Sequence, residues 1–168
     1  GYAFELSEAG IAFAREAGTG FVPFEPGTLV VSPVEDNILK AEAATAQLKS
    51  IAALDGLKKR DGLKKSDGLK KRDGSKKRRR AALILPDYAA RVNVLDFDSF
   101  PSSPEEQLSL IRFRLKKTLP FDIESAAVSY YAQPAPKGHK IQVVAVIVAL
   151  EIIARYEALF RALNFQPG

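Results

Sequence analysis

The chain has 168 residues, 46% hydrophobic and 27% charged, with a net charge of +5, enough apolar surface to bury a core as one domain or two small ones. It has no cysteine, which excludes disulfides, a thiolate nucleophile and Cys-type zinc sites and fits a reducing compartment. Its single histidine, His139, lies in a Pro/Lys/Gly loop, so neither a two-histidine metal device nor a Ser-His-Asp triad with identifiable partners can be assembled around it.

No methionine occurs, at the first position or elsewhere, and we read the chain as part of a longer one. No apolar run reaches the roughly 20 residues of a membrane-spanning helix. The longest, Val143 to Leu150, is Val-rich and reads as a buried strand running into a helix.

In chain order, Phe4 and Leu6 alternate with other residues, Ser7 to Gly10 supplies turn chemistry, and Ile11 and Phe13 alternate again, which predicts a hairpin. Gly18-Thr19-Gly20 is a short glycine pair, read either as an ordinary turn or as a weak phosphate-loop signal. Leu29 to Val31, between Pro26-Gly27 and Ser32-Pro33, predicts a third strand. Ala41, Ala44, Leu48 and Ile51 share one face among good helix formers, so a helix is expected from about Ile38 to Leu54, capped by Ser32 or Asp36.

From Asp55 the chain repeats Asp-Gly-Leu-Lys-Lys-Arg and close variants, ending in Arg79-Arg80. Residues 55–80 hold 13 Lys and Arg against 4 Asp, a net of +9, so the remainder of a chain at +5 sums to −4. The basic balance belongs to this insertion. A glycine every sixth residue disfavours a helix by about 1 kcal/mol each relative to Ala, and six is too short a period for a solenoid. The tract reads as a solvated loop. The sharper alternative is contact with an anionic membrane surface through Lys58, Lys59, Arg60, Lys70, Lys71, Arg72, Lys76, Lys77 and Arg78. Nucleic-acid binding is less well supported, because the tract has no aromatic residue for base stacking.

Beyond it, Ala81 to Leu85 predicts a strand, Pro86-Asp87 a turn, and Arg91 to Phe97 a strand with Val92, Val94 or Leu95, and Phe97 inward. Asp96 and Asp98 share a face without a calcium-loop pattern and read as surface residues. Ser103, Pro104 and Glu106 then write a helix start as a capping box. Leu108, Ile111, Leu115 and Leu119 form one stripe, and Lys116, Lys117 and Pro120 write its end. Strands follow at 126–132 and 140–148, then a helix carrying Ile152, Ile153, Tyr156, Phe160 and Leu163. These elements make an α+β arrangement, two helices over one face of a three-stranded sheet.

An apolar strand with Leu85-Pro86-Asp87, a second strand, a Pro-Glu-Glu-initiated helix ending Leu-Pro-Phe-Asp-Ile-Glu and then Tyr130-Tyr131 together resemble the type IV pilus assembly protein PilM family over 81–168. PilM-like proteins are actin-like ATPases, relatives of the division protein FtsA. The resemblance implies a partial actin-like (ribonuclease H-like) first subdomain over 1–88, carrying the basic insertion at 55–80, and an inserted SHS2-type subdomain (strand-helix-strand-strand-helix) over 89–168. In that family the first hairpin holds nucleotide phosphates around an Asp-x-Gly-Ser pattern. Here the matching positions are Phe4-Glu5-Leu6-Ser7-Glu8, and carboxylates repel the anion such a loop must cradle. The resemblance therefore implies no catalysis and no cofactor in this chain, with ATP and Mg²⁺ reserved for a longer parent.

It also implies a location on the cytoplasmic side of the inner membrane. The implied partner is the short cytoplasmic tail of an inner-membrane protein such as PilN, held between the first subdomain and the inserted one, and self-association belongs to the same range of contacts. The candidate contacts are Arg112, Phe113, Lys116 and Phe121, off the helix stripe or just past its end. The alternative function is a membrane-surface or nucleic-acid binding module acting through the basic tract.

Overall fold

The computed structural model describes residues 1–61, 78–134, 136 and 138–168, and of 55–61 the helical backbone alone. It is a mixed α+β chain. The elements are β1 (Tyr2–Ser7), β2 (Gly10–Arg15), β3 (Gly18–Pro23), α1 (Ala41–Asp61), β4 (Arg79–Ile84), β5 (Arg91–Phe97), α2 (Pro104–Leu115), β6 (Ala126–Ala132), β7 (Ile141–Ala149), α3 (Leu150–Arg161) and β8 (Phe165–Pro167). They divide into two units, Gly1–Val30 with Ile38–Pro86 and Arg155–Gly168, and Val31–Asn37 with Asp87–Ala154. Residues 155–168, which the sequence reading groups with the second subdomain, thus pack in the first unit.

In the first unit five strands lie in the order β3-β2-β1-β4-β8. β1 and β2 form the expected hairpin, antiparallel from Tyr2–Arg15 to Ser7–Gly10. β1 pairs with β4, and β4 with β8, in parallel. Parallel neighbours need long crossovers, and everything from β5 to the end of α3 lies within the connection between β4 and β8. The even-numbered side of β1 is buried, with Phe4 and Leu6 beside Ile11 and Phe13 of β2. The Phe4 ring lies 5.0 Å from Phe160 of α3 and 5.2 Å from Phe165 of β8. Arg79 stacks its guanidinium 4.1 Å over the Phe165 ring and 5.4 Å over Tyr2, a contact that covers the cluster at the start of β4.

Four sequence expectations change here. The third strand is Gly18–Pro23, and Leu29 makes only an isolated bridge with Ile38. β3 is an edge strand, so its residues stay largely exposed and its alternation is weak, which hid it. Gly20 is a packing requirement rather than a turn: a Cβ there would sit 2.5 Å from the Phe13 ring. α1 starts later and ends later than expected. Ser32 accepts from the Val34 and Glu35 amides in a local turn, whereas Ala44 N–H donates to Lys40 at the helix start. One Gly56 costs about 1 kcal/mol, too little to stop a helix of otherwise good formers, so α1 continues through the first repeat to Asp61.

In the second unit three antiparallel strands lie in the order β5-β7-β6. One face carries Phe97, Val143, Ala145, Ile147 and Ala126, buried together with Ile111 and Leu115 of α2 and Ile123, while Leu110, Leu119, Phe121, Val128 and Tyr130 close the edges. Among the described residues of this cluster, the α-helical side chains come from α2. The final helix instead turns its buried Phe160 to the first unit's aromatic cluster. Val92 and Val94, two of the expected inward residues, face out at 63% and 62% exposure, because the phase of the strand is set by Leu95 and Phe97.

Candidate functional site

The α2 surface carries the sequence-derived contact residues. Its start is built as expected in part: Ser103 Oγ accepts from the Glu106 amide at 3.4 Å, and the Ser103 carbonyl accepts from Gln107 N–H at 2.9 Å. The carboxylate that closes the cap is Glu105 rather than Glu106, accepting from the Ser103 hydroxyl at 2.8 Å. Its own backbone N–H and then the Ser103 hydroxyl hold Glu105 below the usual carboxylate range. At the other end the Lys116 N–H donates to Arg112 O, and Thr118 caps Leu115 O through its N–H and its hydroxyl at 2.9 and 3.0 Å.

The four residues separate by role. Arg112 is tied down: its guanidinium donates to Glu124 at 2.9 Å and to Ala126 O at 3.4 Å, with its side chain 26% exposed. It fastens α2 to the 3-10 turn Ile123–Ser125 that leads into β6. Phe121 is half-buried and packs on the core cluster. Phe113 is 77% exposed, and Lys116, one turn further along the same helix surface, is exposed. Of the four, Phe113 and Lys116 are thus the exposed pair, flanked by the exposed Arg114 and Lys117.

In the first unit, the hairpin that the resemblance aligns with a phosphate loop turns on Glu8 and Ala9, with Ser7 Oγ donating to Gly10 O at 3.3 Å. Gly10 is required there, since a Cβ would collide with Val22 O and Phe21. The sheet's outer face holds a feature the sequence reading missed. Ala3, Ala14 and Thr19 lie in one row and Glu5, Ala12 and Phe21 in the next, flooring a trough of about 450 Å³ between the half-exposed Phe21 and Ile84. The signal was present: the partners of Phe4, Leu6, Ile11 and Phe13 in the alternation are mostly alanine, not polar.

Of the basic tract, Lys58, Lys59 and Arg60 fall on the α1 backbone, and Arg78 is exposed just before β4. Lys70, Lys71, Arg72, Lys76 and Lys77 lie outside the described residues. His139, Asp96 and Asp98 are exposed. Among the described residues no three His, Cys, Asp or Glu side chains group as a metal site, and no helix is long and apolar enough to cross a membrane.

This architecture defines a class before any particular protein: a mixed sheet with a second α+β unit carried between two of its parallel strands. Solved structures share it. A structure described as the PilM–PilN type IV pilus biogenesis complex matches 99% of this chain with a TM-score of 0.67 at 16% identity. The cytoplasmic domain of EpsL, an inner-membrane component of the type II secretion system of Vibrio cholerae, matches 99% with a TM-score of 0.50 at 13% identity. The chain spans about half the length of these structures, 45% and 54% respectively. No family model and no curated protein matches the sequence.

Proposed function

We propose that this chain is a non-catalytic scaffold component of a type IV pilus or related secretion machine, holding the cytoplasmic tail of an inner-membrane protein. The observation that carries the reading is the likeness along 99% of the chain to a protein of a pilus biogenesis complex, supported by the resemblance of residues 81–168 to PilM-like proteins. The contact surface is the exposed part of α2, with Phe113 as its apolar anchor and Lys116 as its charge. An exposed aromatic flanked by cations suits a short tail that presents an apolar residue beside a carboxylate.

The test is retention of solubilised inner-membrane proteins on the immobilised chain, comparing wild type with Phe113→Ala/Lys116→Glu and with a variant whose lysines in 62–77 are replaced by Gln. The reading expects a single-span protein with a short cytoplasmic tail, lost with the α2 variant and kept with the Gln variant. Retention that depends on the repeat lysines and disappears steeply as salt rises supports the polyelectrolyte alternative instead.

A further inference from the structure

β5 pairs with β7 without a break, from Arg91–Ile147 to Phe97–Ile141, and among the described residues no strand pairs with its other side. Which of its backbone groups stand open follows from the far side of β7. Gln133 N–H donates to Gln142 O at 2.8 Å, in register with the pairing of Tyr131 with Val144. The even-numbered residues of β7 therefore turn their N–H and C=O toward β6, and the odd-numbered ones turn theirs toward β5. The β5 partners of those odd-numbered residues are Arg91, Asn93, Leu95 and Phe97. This leaves the N–H and C=O groups of Val92, Val94 and Asp96 pointing out from the edge, on a strand with neither proline nor bulge to protect it.

The two faces of this edge differ in chemistry. Val92, Val94 and Asp96 alternate onto the outer face, all three exposed, with the exposed Asp98 just beyond. One row thus reads apolar, apolar, acidic. Arg91 and Asn93 lie on the opposite face with Leu95 and Phe97. On that side Leu119, which packs on the core cluster, joins Thr118, Pro120, Arg91, Val92 and Asn93 in lining a cleft of about 430 Å³. Three consecutive strand residues line the cleft, so it follows the edge and leaves room for a further strand.

We propose that β5 takes an extended segment of another protein as a fourth, antiparallel strand, one that carries a basic residue followed by two β-branched residues at every second position. The open N–H and C=O groups supply the binding, and the alternating side chains supply the selection. The residues opposite Asp96, Val94 and Val92 share their outer face, so the basic group meets the carboxylate and the two apolar residues extend the valine row. The residues between them turn toward the cleft, where one opposite Arg91 is best acidic and one opposite Asn93 is best a small hydrogen-bonding side chain. A second copy of β5 does not satisfy this pattern, because its own charges lie on opposite faces. The β5 edge shares no residue with the tail-binding surface on α2, so this site stands whether or not a tail binds there.

The test is titration of the full, isotope-labelled chain with the end-blocked peptide Lys-Thr-Val-Ser-Val-Glu, followed at backbone amides by NMR. At saturation the amides of Val92, Val94 and Asp96 should exchange with solvent at least about tenfold more slowly, while those of Asn93 and Leu95, already bonded to β7, keep their rates. The same peptide with both valines N-methylated keeps every side chain and loses the N–H groups that bond to the edge, and it should not bind. A peptide with Lys and Glu exchanged should bind about tenfold more weakly. Arg91→Glu/Asp96→Lys, shown to be folded by circular dichroism, should reverse that preference, whereas Phe113→Ala/Lys116→Glu should leave it unchanged. No binding of the parent peptide at millimolar concentration overturns the proposal, as does equal binding of the N-methylated peptide or a preference that does not reverse. Protection of the same three amides in the free chain as its concentration rises gives the edge to a second copy, and overturns it too.

Discussion

Arg112 and Glu124 form an ion pair of 2.9 Å between α2 and the turn entering β6, next to Phe113, whose ring stands in solvent. Two neighbouring residues with the same standing in the sequence therefore hold opposite roles. Arg112→Ala should lower stability by about 1–2 kcal/mol, through the lost charged hydrogen bonds and the packing of the stem, discounted because Glu124 is exposed. Phe113→Ala should change it by less than about 0.5 kcal/mol, as exposed substitutions do. Urea unfolding of both variants checks the contrast. Equal losses would mean that Phe113 is a packing residue and no contact surface.

The aromatic cluster of the first unit depends on a residue from the far end of the chain. Phe160 is fully buried against Phe4 and Phe165, and Phe160→Ala should cost about 3–5 kcal/mol. Ile111→Ala, at the centre of the second core, should cost about 2–5 kcal/mol. Hydrogen exchange read by mass spectrometry should place the lost protection for Phe160→Ala in β1, β4 and β8, and for Ile111→Ala in β5, β6 and β7. Loss of protection in the opposite unit would contradict the division.

The helix cap carries a pH dependence of defined sign. The Glu105 carboxyl is held below its usual range by its own N–H and by Ser103, and a carboxylate near a helix N-terminus is favoured in its charged form. A lowered folded-state value contributes stability above the unfolded value and loses it as pH falls through the lowered one. Ser103→Ala should move the Glu105 titration upward, as followed by carboxyl NMR shifts, and cost about 1 kcal/mol of stability at neutral pH. An unchanged titration would show that the Ser103 hydroxyl is not its partner in solution.

Nucleotide is the remaining test of chemistry. The hairpin turns on Glu8 and Ala9, with Glu5 exposed on β1, a negatively charged place for a phosphate. Isothermal titration with Mg-ATP should show no binding by this chain, and micromolar affinity would contradict the non-catalytic reading.

Much of the second unit is legible in sequence because its signals are local and redundant. Ser103-Pro104 writes the start of α2, Lys116, Lys117 and Pro120 its stop, and the valines of β7 need no partner to be recognised. The valine phase of β5 is not legible: Val92 and Val94 are as apolar as Leu95 and Phe97, and only the packed core decides which set turns in. β3 and β8 escape for a related reason. The Gly-rich edge is specified by packing across its own hairpin, Gly20 against the Phe13 ring, and the three-residue strand by a partner distant in sequence, Arg79 for Phe165. The candidate site divides the same way. Exposure of Phe113 follows from helix periodicity, whereas the capture of Arg112 by Glu124 depends on a turn twelve residues away.

The measurement that tests the account most directly is photo-cross-linking in the source cell from a benzoylphenylalanine placed at position 113, with position 131 as the comparison. The account predicts that position 113 yields a product with a single-span inner-membrane protein, attached through its short cytoplasmic tail, and that position 131 does not. No product from position 113, or the same products from both positions, would contradict it.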